Sequence, residues 1–92
     1  MVLLIEIRDG TKPKEINLNT QVDLIGFESI EEAIIYAEPH HMENESFVVL
    51  KPTGFFGVVP KAESSVLPEH RDEWKDELLA KSLFQRFEAI SN

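Results

Sequence analysis

The densest apolar tract of the chain, FVVLKPTGFFGVVP from Phe47 to Pro60, is the one around which the other patterns must be arranged. Two apolar runs, Phe47 to Leu50 and Phe55 to Val59, flank Lys51, Pro52, Thr53 and Gly54. Proline suits the second position of a turn and glycine the position of positive φ, so the tract predicts a β-hairpin turning at 51–54, with a bulge at Gly54. Successive side chains of a strand point to opposite faces, and here both sets are apolar, so both faces of the hairpin need cover.

Earlier in the chain, Val2 to Arg8 predicts a strand with Leu3, Ile5 and Ile7 on one face. Asp9-Gly10 signals a turn, and the alternation of Ile16 and Leu18 with Glu15, Asn17 and Asn19 predicts a second strand over Lys14 to Asn19, polar on one side as an edge strand should be. Val22 to Phe27 fits either a short strand or a packed loop.

Ser29-Ile30-Glu31-Glu32 has the form of a capping box and opens a helix. Ile30, Ala33, Ile34 and Ala37 make its buried stripe, Glu31, Glu32 and Glu38 lie off it, and Pro39 ends it. A last helix is expected from Pro68 to Ile90. Leu79, Ala80, Leu83, Phe84, Phe87 and Ile90 form its core stripe, with Trp74 and Leu78 nearly opposite. The order ββαββα predicts an α+β fold in a single domain over 1–92: a mostly antiparallel four-stranded sheet with two helices packed on one face. That arrangement would leave the other sheet face bare, as an apolar patch for a partner or a second copy.

Composition narrows the function. The 92 residues are 42% apolar and 28% charged, as in ordinary globular domains. Cysteine is absent, which excludes disulfides, thiolate metal sites and cysteine nucleophiles. The opening run Met1 to Ile5 is too short for a membrane span and lacks a basic leader, so the expectation is a cytoplasmic protein.

The net charge of −8 is concentrated in one stretch. Between Lys14 and Lys51 there is no lysine or arginine, while Glu15, Asp23, Glu28, Glu31, Glu32, Glu38, Glu43 and Glu45 carry eight acids. Such a surface disfavours nucleic acid and favours basic partners or cations.

No motif states a reaction. Ser64 and Ser65 are explained by capping, and Gly54-Phe55-Phe56-Gly57 does not lead from a strand into a helix, so it is no phosphate loop. The chain is therefore expected to be a non-enzymatic, acidic protein-protein interaction protein without a cofactor: an adaptor, inhibitor or accessory subunit. Its sharper form occupies a basic, nucleic-acid-binding surface of its partner, as phage and mobile-element inhibitors do, or pairs with itself as a homodimer. Trp74, Leu78, Glu28, Glu31, Glu32, Phe55 and Phe56 are the expected partner-binding residues. The alternative is a small-ligand or metal-binding protein, or a minor hydrolase, centred on His40, His41 and Glu43, with a pocket between the first helix and the central hairpin as its first sign.

Overall fold

The computed structural model describes residues 1–39, 46–56, 59–65, 71–74 and 76–91, with backbone only at 55, 56, 59–61, 63–65, 71–74 and 91. It is α+β. Strands β1 (Val2–Ile7), β2 (Val22–Phe27), β3 (Phe47–Phe56), β4 (Val59–Ser65) and β5 (Arg71–Trp74) form one antiparallel sheet in the order β2-β1-β3-β4-β5. Helix α1 (Ile30–Ala37) follows β2, and helix α2 (Glu77–Ser91) follows β5. The order is thus ββαβββα, and the expected four-stranded ββαββα sheet is corrected to five strands.

The two helices lie on opposite faces of the sheet, which corrects their expected placement on one. Val2, Leu4, Phe47 and Val49 pack against Ile30, Ala33, Ile34 and Ala37 of α1. The alternate positions Leu3, Ile5, Val48 and Leu50 pack against Leu79, Leu83 and Phe84 of α2. Because β1 and β3 are apolar on both sides, a helix on only one face would have left a row of valines and leucines in water. One helix per face removes both rows, and with them the bare sheet face expected as a docking patch.

Where the chain reverses is decided by strand pairing. Lys51 to Gly54 does not form a turn: β3 runs through it and pairs with β4 as far as Phe56 opposite Val59. The expected bulge is present, as a shift in register between Pro52 and Gly54. Proline is tolerated there because β1 pairs with β3 only as far as Leu50, so beyond that point one side of β3 has no strand paired to it among the described residues.

The expected strand at Lys14 to Asn19 is replaced by a single 3-10 turn, Pro13–Glu15, and a closed loop. Asn17 N–H donates to the Thr20 hydroxyl at 3.0 Å, and Asn19 N–H donates to Asn17 Oδ1 at 2.8 Å. These local bonds outcompete a ladder. Ile16 enters the α2-side core while Leu18 stays exposed, and Arg86 of α2 holds the loop by donating to the Leu18 carbonyl at 2.9 Å. The segment that does pair with β1 is β2, the stretch compatible with either strand or loop.

Asp9 organises the start of this connection, next to Gly10 at φ +82°. Its carboxylate accepts from the Thr11 hydroxyl at 2.6 Å and from the N–H groups of Thr11 and Gln21 at 3.0 Å. The Thr11 hydroxyl foremost, then those N–H groups, hold the Asp9 carboxyl below its ordinary value of 3.8. A lowered folded value stabilises the protein above that ordinary value, and the contribution is lost as pH falls through the lower folded one. Asp9→Asn is therefore expected to lower the melting temperature more near pH 7 than at a pH below 3.8, as thermal melts at the two pH values would show. An equal deficit at both would assign the effect to something other than the carboxylate charge.

Candidate interaction surface

Of the eight acids in the stretch without lysine or arginine, Glu28, Glu31, Glu32 and Glu38 lie in or beside α1. Ser29 caps the helix, accepting the Glu32 N–H at 3.3 Å, while Glu32 Oε2 accepts the Glu28 N–H at 3.3 Å, so the reciprocal bond lands one residue before the cap. Glu28, Glu31, Glu32 and Glu38 are all exposed. The structure brings the first three together at the start of the helix, as a negative group beside the positive end of its dipole.

The same helix exposes two large side chains that the sequence reading did not single out. Ile35 is 69% exposed and Tyr36 38% exposed. Tyr36 stacks at a tilt on Phe27 of β2, with ring centroids 5.4 Å apart, which fixes one flank of α1 over the edge strand. Ile35 is four residues from Glu31 and three from Glu32, so an exposed apolar side chain adjoins the acids. The signal was available: at 100° per residue Ile35 falls well away from the Ile30, Ala33, Ile34, Ala37 stripe.

Among the described residues, two basic side chains lie near this surface, Arg8 and Lys51. Arg8 bonds Asp23 of β2 and lies 3.3 Å from Glu6, whose side chain is almost fully buried. Asp23 first, and Glu6 second, raise the Arg8 guanidinium above its ordinary value. Lys51 lies on the rim of a recess of about 220 Å³ at the start of α1, with Met1, Val2, Glu28, Ile30 and Glu31 around it.

The other expected partner-binding residues are scattered. Trp74 is not in a helix: it ends β5, paired with Ala62. The last helix begins at Glu77 rather than Pro68, because Asp76 caps it, its carboxylate accepting the Leu79 N–H at 3.0 Å and its carbonyl the Ala80 N–H at 3.0 Å. The ridge expected from Trp74 and Leu78 on one helix is therefore not formed. Leu78 alone stands 71% exposed in the first turn of α2. Phe55 and Phe56 lie in the far end of β3, opposite Pro60 and Val59. Ile90, placed by its spacing in the core stripe, is 69% exposed.

His40, His41 and Glu43 lie outside the described residues. The recess between the start of α1 and Lys51 of β3 is a pocket where one was expected, and no histidine is among its described lining residues. Among the described residues no group of three His, Asp or Glu is placed to hold a metal ion, and no helix is long and apolar enough to cross a membrane. Comparison with known protein families, with curated proteins and with solved structures finds no match to this chain.

Proposed function

We propose that this chain is a small, non-enzymatic protein-protein interaction protein that engages a basic surface of its partner through the outer side of α1. The observation that carries the reading is Ile35, a large apolar side chain left in solvent beside Glu31 and Glu32. Apolar anchors rimmed by charge are the usual anatomy of an interface, where the anchor supplies affinity and the charges supply orientation and encounter rate. A basic surface that otherwise holds nucleic-acid phosphates offers the complementary charge, so the sharper form of the proposal is an inhibitor or accessory subunit that competes for such a surface.

A photo-crosslinking residue at position 35, compared with one at the exposed position 12, identifies the partner by mass spectrometry of the species trapped only from position 35. With that partner in hand, Ile35→Ala is expected to weaken binding by about 2 kcal/mol, the scale for fully burying such a side chain, with the melting temperature unchanged. Reversing Glu28 and Glu31 to lysine is expected to slow association, most at low salt. An association rate indifferent to salt and to both reversals would reduce the acids to a solubilising face.

A further inference from the structure

We propose that the free edge of β2 pairs antiparallel with β2 of a second copy of this chain, joining the two sheets across a two-fold axis. This inference is independent of the reading of α1.

The directions of the backbone bonds follow from the register of β1. Ile7 N–H donates to the Ser46 carbonyl on the β3 side at 2.7 Å, whereas Arg8 N–H donates to the Gln21 carbonyl on the β2 side at 2.9 Å. Even positions of β1 therefore bond towards β2. Their register partners Asp23, Ile25 and Phe27 turn their backbone groups inward. Val22, Leu24 and Gly26 alternate with them and turn N–H and C=O outward, where among the described residues they meet no hydrogen-bond partner.

The two edges of the sheet differ in how they are guarded. β5 has four residues, of which Arg71, Asp72 and Glu73 are charged, and a short charged edge resists further pairing. β2 has six residues, VDLIGF, with no lysine and no proline. Its one charge, Asp23, is already engaged by Arg8 from the neighbouring strand. The flanks of β2 are unfinished on both faces: Val22 and Leu24 are only partly buried beside Phe87, and Ile25 and Phe27 only partly buried on the α1 side. Such a seam suits a second apolar strand better than a basic peptide.

Self-pairing centred on Leu24 sets Leu24 against its equivalent and Val22 against Gly26 of the other copy, so all the outward groups are used at once. The net charge of −8 does not forbid it. In this register Glu28 of one copy falls opposite position 20 of the other, which leaves the two Glu28 residues about 27 Å apart at ~3.4 Å per residue. That distance exceeds the screening length of about 8 Å at physiological salt.

The test is sedimentation equilibrium of the wild-type chain up to about 0.2 mM, combined with amide hydrogen exchange at low and high concentration. The expected result is a mass that doubles with concentration, and protection of the Val22, Leu24 and Gly26 amides that grows with the dimer fraction. Val22→Pro removes an outward N–H that has no partner among the described residues, so it should keep its circular dichroism while weakening the dimer at least about tenfold. A wild-type monomer throughout, or a dimer whose three amides exchange as fast as in the dilute protein, would overturn the proposal. Because the exchange readout needs no variant, it decides the matter even if Val22→Pro does not fold.

Discussion

Val49→Asp is expected to leave the chain unfolded at room temperature. Val49 is 1% exposed in β3, one of the three inner strands of the sheet, and its cluster consists of apolar side chains from β1, β3 and α1. A carboxylate placed there has no cation to pair with among the residues of that cluster, and an unpartnered buried charge costs several kcal/mol. The whole stability of a domain this size is roughly 5 to 15 kcal/mol. Far-UV circular dichroism on cooling and heating checks the outcome. A cooperative melt within about two degrees of wild type would mean that α1 does not cover this face of the sheet.

Leu83→Ala is expected to produce the second largest loss, about 2 to 5 kcal/mol. Leu83 is 1% exposed at the centre of the contact between α2 and the opposite sheet face, beside Leu79 and Phe84. In a domain of this length each kcal/mol lowers the melting temperature by roughly 4 to 8 °C, so the shift should reach at least about 8 °C. Ile90→Ala in the same helix is the control. Helical spacing alone gives Ile90 the same role as Leu83, whereas its 69% exposure predicts a change within about 0.5 kcal/mol. Equal losses from the two variants would mean that the end of α2 packs down as its spacing alone suggests.

The contrast between Leu83 and Ile90 separates what was legible in the chain from what was not. Signals that act within a few residues translated directly. Ser29 with Glu32 set the start of α1, the spacing of Ile30, Ala33, Ile34 and Ala37 set its buried side, and Gly54 marked the bulge. The start of α2 was also written locally, in Asp76, but Pro68 offered a competing start eight residues earlier, and sequence alone did not choose between them. On the candidate surface the exposed acids Glu28, Glu31 and Glu32 were readable from charge and helical phase, and Ile35 could have been read from the same phase.

The sequence by itself determined that two strands with apolar residues on both sides, β1 and β3, had to be covered on both faces, and that two amphipathic helices were present to do it. Which face each helix would take was decided only by the tertiary structure, because the alternating sets of β1 and β3 are equally apolar and periodicity does not distinguish one side of a sheet from the other. The strands β2 and β5, and the passage of β3 through Lys51 to Gly54, were decided in the same way. The inward backbone groups of β2 pair with Val2–Ile7, distant in sequence, while β3 and β5 pair with the neighbouring strand Val59–Ser65, an alternative to the turn at 51–54 and to a helix from Pro68 that the local residues fit equally well.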